Sequence, residues 1–394
     1  MATIYKQFSN GDRTATRTLL HEAVPLTGTI LSGTYVDTTQ TPPAATNCKN
    51  YAHGMFQSVY DYPYLSSSAN HIFDISVGIR PSATSLSSSI HTQISKKVNV
   101  YNQMAQVLMG YDASGSVLPF DEDGNIAAGG RSLEDVYFLN FARLLVKDEI
   151  QKGTFELTLD VDAGYTASAQ PFTDTIKVFD ASGSTGYFVN SPAGEYGILY
   201  ARTKVSSSNQ NHIINEPADI TSAPVGLPAC GLIFYQAGVV VLSGSVFNKY
   251  DTSSAATDPN GILNPNTHPD SLKLVSTDAA GIGFNFVTGS EISSSADALK
   301  HRIQNIQFNN TIELNSTVYY CRVHHNEYNY SGNPTYLSSS QIVVKTTHTD
   351  MPVSFITSIG LYSADNELLG VAKLSEPIQK DPSKEFIFRC RLDY

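Results

Sequence analysis

Phe386-Ile387-Phe388-Arg389-Cys390-Arg391-Leu392-Asp393 places Phe386, Phe388, Cys390 and Leu392 on one side of an extended chain. Ile387, Arg389, Arg391 and Asp393 fall on the other. A two-residue period of this kind belongs to a β-strand with one face against a core. Two further strand-like segments come just before it, 353–362 and 368–374, joined by the polar turn Ser363-Ala364-Asp365-Asn366-Glu367. The three together predict a three-stranded meander that ends on the last residues of the chain, with the terminus tied down by pairing.

Working towards the N-terminus, the same pattern recurs. Residues 312–323 read as a strand leading into Tyr328-Asn329-Tyr330 and on to Asn333-Pro334-Thr335-Tyr336. Residues 155–161 alternate Phe155, Leu157, Leu159 and Val161 with polar neighbours, while 175–179 and 198–204 are shorter or looser versions. Residues 231–235 and 239–242 flank Gln236-Ala237-Gly238, which predicts a hairpin. Three segments have helical spacing instead. Ile94, Val98, Tyr101, Met104, Ala105 and Leu108 recur at three and four residues and stop at Gly110. Ser132 followed by Asp135, then Val136, Leu139, Phe141, Leu144, Leu145 and Ile150, predicts a second helix ending before Gly153. Residues 295–303 form a weaker third. The fold class expected is mainly β with a few helices (α+β), built of antiparallel sheets or a β-sandwich. Three regions are expected: 1–153 with two helices, a β-rich 154–305, and a C-terminal β domain over 306–394. Ser, Thr, Asn, Pro and Gly dominate 205–225 and 251–270, which read as surface connectors.

Composition narrows the function. Charged residues are 15% of the chain, below the ~25% of an ordinary soluble domain, and 22 Tyr and 18 Phe stand with no Trp. Such a semi-polar, aromatic surface suits a subunit packed against neighbours. The net charge of −11 comes from 25 basic and 36 acidic residues, and Lys96-Lys97 is the densest basic group. Nucleic acid binding needs a basic footprint, so none is expected. The longest apolar stretch, 231–247, is interrupted by Gln236, Gly238, Ser243, Gly244 and Ser245 and falls short of a membrane span. The first residues, Met1 to Gln7, lack the pattern of a secretory signal, which places assembly in a cytosol. Cys48, Cys230, Cys321 and Cys390 are scattered singly and read as small core residues.

Several constellations could carry chemistry. His324-His325 with Glu327 and His301 lacks a third convergent metal ligand, because adjacent residues on a strand face opposite ways. Asp121-Glu122-Asp123-Gly124-Asn125 begins like a calcium loop, but Ile126 and Ser132 hold the sixth and twelfth positions where Gly and Glu are needed. It reads as a turn. Asp160 and Asp162 share a strand face and read as solvated. Gly183-Ser184-Thr185-Gly186 has no phosphate-loop Lys, and nucleophile-elbow and zincin motifs are absent. No catalytic residue, cofactor or metal is therefore expected. The tyrosine runs Tyr60-Asp61-Tyr62-Pro63-Tyr64 and Tyr328-Asn329-Tyr330, with Tyr336, Tyr362, Arg389, Arg391 and Tyr394, are the candidate interface residues, since Tyr and Arg supply contact area with a polar handle.

One resemblance bears on function. Phe355-Ile356-Thr357-Ser358-Ile359-Gly360-Leu361-Tyr362, Asn366-Glu367-Leu368-Leu369-Gly370-Val371-Ala372-Lys373-Leu374-Ser375, Pro377-Ile378 and the closing Arg389-Cys390-Arg391-Leu392-Asp393-Tyr394 resemble the C-termini of structural proteins from contractile-tailed bacteriophages. The likeness is to the T4-like cyanophage group. Glu327-Tyr328-Asn329-Tyr330-Ser331 is similar to a motif of the same proteins. The resemblance covers 310–394 and implies a non-catalytic virion part, a tail or baseplate subunit assembled in the host cytoplasm. Its implied partners are other tail and baseplate subunits and further copies of itself in a symmetric assembly. A fibre-attachment or receptor-binding protein, a neck or capsid-associated protein, and a tail-associated hydrolase stand as alternatives.

Overall fold

The computed structural model describes residues 5–25, 35–37, 44–83, 92–121, 132–141, 149–160, 175–181, 186–203, 229–247, 287, 291–331, 337–338, 341–342 and 347–393. Strands are numbered along the chain: β1 Arg13–Pro25, β2 Val36–Asp37, β3 Ala44–Ala45, β4 Cys48–Asn50, β5 Gln57–Tyr60 and β6 His71–Ile79. Then come β7 Asp135–Asn140, β8 Glu149–Ile150, β9 Glu156–Asp160, β10 Thr175–Asp180, β11 Phe188–Ser191, β12 Gly194–Thr203, β13 Ala229–Phe234 and β14 Val239–Ser243. The last are β15 Ile303–Val323, β16 Leu337–Ser338, β17 Gln341–Ile342, β18 Ser354–Tyr362, β19 Leu368–Lys380 and β20 Phe386–Asp393. The helices are α1 Ile94–Leu108 and α2 Ile292–Lys300. The fold is mainly β with antiparallel sheets, as the alternation predicts.

Two compact units divide the chain: His21–Ile312, and a smaller one made of Met1–Leu20 with Glu313–Tyr394. These units do not coincide with the three regions expected from sequence. No boundary falls at 153, because β7 before it and β9 after it belong to one sheet. An antiparallel ladder takes partners from distant parts of the chain, so a change in local composition need not mark a domain edge.

In the larger unit the sheet runs β15-β9-β10-β12-β13-β14-β7-β6-β5-β4, with antiparallel neighbours throughout. Every residue of β13 and β14 is buried, so both faces of the centre are covered. On one face α1 lays Val100, Tyr101, Ala105 and Leu108 against Phe120, Val136, Phe138, Leu232, Phe234 and Val241. The other face gathers Leu139, Phe141, Ile233, Val240 and Leu242 with Ile292, Ala296 and Leu299 of α2. Phe141 sits at the middle of an aromatic group, with ring centroids 5.3 Å from Phe73, 5.4 Å from Phe308 and 6.1 Å from Phe155. The expected hairpin at 231–242 is β13–β14, and α1 ends where Gly110 takes a left-handed φ of 83°.

The helix expected from Ser132 to Ile150 is corrected. Asp135–Asn140 is strand β7, hydrogen-bonded to β6 and β14, and Glu149–Ile150 is strand β8; residues 142–148 lie outside those described. Val136, Tyr137, Phe138 and Leu139 are all buried. A central strand covered on both faces is an unbroken apolar run, which supplies apolar residues at helical spacings as readily as at strand spacings. The third helix is present as α2, displaced towards the N-terminus, and Ile303 opens β15 instead.

In the smaller unit β20 pairs along its whole length with β15, from Ser316 opposite Asp393 to Val323 opposite Phe386. β18 and β19 form a separate two-stranded hairpin. The predicted meander is therefore corrected: all three strands exist, but the third belongs to β15. Alternation says which side chains share a face and is silent on which strand lies alongside. The polar turn between β18 and β19 is closed by Ser363, whose hydroxyl accepts the N–H groups of Asp365 at 3.2 Å and Glu367 at 3.1 Å. Asn366 adopts the left-handed φ of 65° that Asn tolerates. The acidic turn beyond Asp121, the Gly183-Ser184-Thr185 stretch, Asp162, the two connectors, Tyr336 and Tyr394 lie outside the described residues.

Candidate interaction surface

The smaller unit buries little. Among the described residues its buried apolar side chains are Val318, Val323, Leu361 and Cys390. The hairpin β18–β19 has an inner row, in which Leu361 stands opposite Gly370 and Ile359 opposite Ala372, and Leu392 of β20 lies against Gly370. Its outer row pairs Gly360 with Val371 and Tyr362 with Leu368. Gly360 is exposed on that side, and a Cβ there would lie 2.8 Å from the Tyr362 ring and 3.4 Å from Leu368 Cδ1. Phe355, Leu368, Leu369 and Val371 remain 51%, 54%, 67% and 56% exposed. A two-stranded hairpin on its own is marginal in water, and Leu368, Leu369 and Val371 form an exposed apolar patch near its turn.

Next to the hairpin, the loop after β15 presents Tyr328 and Tyr330, both about half exposed. Its backbone is fixed from beneath. Lys380, fully buried, donates to the carbonyls of His325 and Asp381, each at 3.0 Å, and to Asn329 Oδ1. Asn329 in turn donates to His325 O at 2.8 Å, and the Ser354 hydroxyl donates to Tyr328 O. The two tyrosines are thus carried on a held loop, at low entropic cost to a partner. Arg389 and Arg391 occupy the outer side of β20 with Ile387, which is 63% exposed; Arg391 donates to Asp393 at 2.6 Å and to the Ser316 hydroxyl at 3.0 Å.

Sequence patterns gave no sign of the N-terminal strap across this unit. Tyr5 meets Tyr362 edge-on at 4.9 Å, Lys6 pairs with Glu327 at 2.6 Å, Phe8 packs 5.3 Å from Tyr319, and Arg322 donates to Asp12 at 2.7 Å. Tyr362 thereby joins the strap to the hairpin. In the larger unit, Tyr62 and Tyr64 are exposed while Tyr60 is half-buried, edge-on to His71 at 5.5 Å. Tyr35 lies 5.7 Å from Tyr62. The candidate tyrosines are therefore on two separate units.

Two clusters of titratable groups in the larger unit were also invisible in the sequence, because each draws on several strands. In the first, Lys152 pairs with Glu149 at 3.2 Å and Glu195 at 2.6 Å and lies over the rings of Tyr187 and Tyr235. The Tyr235 hydroxyl and the Gly153 N–H both donate to Asp180 Oδ2 at 2.7 Å. Burial, reinforced by Asp180, drives the Tyr235 phenol far above its usual range. Burial alone would lower Lys152, but its bonds to Glu195 and Glu149 outweigh it and hold the ammonium above its ordinary value. Each group has its counter-charge or donor within the cluster, and the result is a clasp joining the ends of β10, β12 and β13. In the second, Gln57 donates to Asp297 Oδ1 beside Lys300, His301 and Cys48. Burial pushes the Cys48 thiol up to about 12, which leaves almost no thiolate to act as a nucleophile at neutral pH.

Of the histidine group noted in the sequence, His324 and His325 follow β15 in the smaller unit and His301 lies in the larger one. His325 Nδ1 stands 3.2 Å from Glu385 Oε1, and Glu327 accepts the His324 N–H at 3.0 Å. Among the described residues no group of three His, Cys, Asp or Glu side chains could hold a metal ion, and no helix is long and apolar enough to cross a membrane. No family model, curated protein or solved structure matches the chain.

Proposed function

We propose that this chain is a non-catalytic structural subunit of a multi-copy assembly, a bacteriophage tail or baseplate, and that its smaller unit is the docking part. The observation that carries this reading is the outer row of the β18–β19 hairpin. It exposes Leu368, Leu369 and Val371, with Phe355 exposed at the other end of the hairpin, on a unit that has few buried apolar side chains among its described residues. A unit so poor in core gains its stability from contacts made in the assembly. The phage address rests on the resemblance of 310–394, a segment that coincides with the larger part of this unit. The low charge and high tyrosine content support a surface used for contacts.

A second reading, a receptor-binding or fibre-attachment protein of the same tail, draws on Tyr328 and Tyr330, which stand exposed on a loop held by Lys380. Sedimentation velocity of the full chain tests the assembly reading. Concentration-dependent multi-copy species at micromolar protein are expected, and a monomer throughout would count against it. Absence of the chain from purified particles, measured by mass spectrometry, would remove the virion reading.

A further inference from the structure

Strands β15 and β20 bring two of the four cysteines together. The ladder sets Cys321 opposite Phe388 and Tyr319 opposite Cys390, with no break in register between Ser316 and Val323. Residues directly opposite in an antiparallel pair point to the same face, and so do residues two apart on one strand. Tyr319, Cys321, Phe388 and Cys390 therefore share one face, with the cysteines on its diagonal, where closing a bond needs a small shift of the two strands. Phe8 lies over this face at Tyr319. All four cysteines are free thiols; Cys390 is buried and Cys321 half-buried. Burial first, and then the neighbouring Cys390 thiol, hold the Cys321 thiol up to about 12.

We propose that Cys321 and Cys390 are a cross-strand dithiol that closes to a disulfide by exchange with a small disulfide such as oxidised glutathione. The more exposed Cys321 thiolate attacks one glutathione sulfur, forms a mixed disulfide and releases one glutathione thiolate. Cys390, having lost its proton to solvent, attacks the Cys321 sulfur and releases the second. Two protein thiols are oxidised, one glutathione disulfide is reduced to two thiols, and the new bond joins β15 to β20. That bond encloses the Tyr328–Tyr330 loop and the whole β18–β19 hairpin. A unit with few buried apolar side chains is where a staple has most effect, since it restricts the unfolded chain. The inference stands on strand register and does not depend on the proposed function.

The test uses the full chain incubated with oxidised glutathione at pH 9, chosen because the high thiol value makes exchange slow at neutral pH. Intact mass and non-reducing peptide mapping follow the product. A loss of about two mass units, with a single linked peptide pair containing Cys321 and Cys390, is expected. Dithiothreitol should reverse it. In Cys321→Ser and, separately, Cys390→Ser the linked pair should vanish, and Cys390→Ser should trap glutathione on Cys321. Hydrogen exchange of β20 should slow at least tenfold on oxidation. Stable glutathione adducts on Cys321 in the unsubstituted chain, unreacted thiols after equilibration, or links involving Cys48 or Cys230 would each overturn the proposal.

Discussion

Gly197 of β12 lies against the Tyr235 hydroxyl so closely that a Cβ there would stand 2.2 Å from the oxygen and 3.1 Å from Cζ. The phenol has nowhere to retreat, because it is buried and donates to Asp180 Oδ2 at 2.7 Å. Gly197→Ala should therefore displace the ring or break that bond. Overpacking costs about 1–3 kcal/mol and the lost bond to a charged acceptor about 1.5–3 kcal/mol, so about 3 kcal/mol is expected in total. Tyr235→Phe removes only the hydrogen bond and should cost about 2 kcal/mol. In the double variant the nearest atom to the new methyl is Cζ at 3.1 Å, a contact relieved by a shift of a few tenths of an ångström. The alanine then costs about 1 kcal/mol, and the pair falls short of additivity by about 2 kcal/mol. Equilibrium urea unfolding of the three variants, followed by circular dichroism, measures this coupling. Additivity to within about 0.5 kcal/mol would refute the geometry. Unchanged self-association of Tyr235→Phe would agree with a structural clasp at Lys152, Asp180 and Tyr235.

Other consequences are open to equally direct measurement. Lys380→Met removes three hydrogen bonds, two of them to the tyrosine loop; amide exchange of residues 324–331 should accelerate by tenfold or more, and an unchanged rate would mean that the lysine is not the anchor. Asp381 is held down to about 2 by its bonds to Ser383 and then Lys384. A carboxylate lowered in the folded state contributes stability that is complete above its unfolded value near 4 and lost as pH falls through the folded value. Acid titration between pH 4 and 2, read by circular dichroism, should thus show a loss in the unsubstituted chain that is smaller in Asp381→Asn. Leu368→Ser with Val371→Ser removes two half-exposed apolar side chains from the outer row. Covering each stabilises an association by about 1 kcal/mol, so the double variant should weaken self-association about thirtyfold while leaving the unfolding midpoint nearly unchanged.

Local patterns carried much of this fold. The three- and four-residue spacing from Ile94 to Leu108 is α1, and the apolar runs around Gln236-Ala237-Gly238 are β13 and β14. The alternation over 386–393 correctly separates Phe386, Phe388, Cys390 and Leu392, all partly or fully buried, from exposed Ile387, Arg389, Arg391 and Asp393. Failure came where tertiary context overrides period. Val136 to Leu139 is apolar on both faces because α1 covers one side and the Phe141 cluster the other, and such a run carries no strand signature. Partner choice failed for a related reason: β20 reaches across the sequence to β15, and nothing local to 386–393 records it. Of the candidate surface, Tyr328 and Tyr330 are legible as a tyrosine run, and both stand about half exposed. The apolar outer row is not legible, because Leu368, Leu369 and Val371 look like core residues until they are seen standing exposed. The strap from Tyr5 to Asp12 and the Lys152 clasp depend on contacts between residues far apart in sequence, which periodicity cannot reveal.

The central claim is that the outer row of β18–β19 is covered by another subunit in an assembly. A reconstruction of the particle containing this chain, with side chains traced, tests it most directly. The account predicts Leu368, Leu369 and Val371 buried against a neighbouring subunit in every symmetric copy. The same residues standing in open solvent in every copy would contradict it.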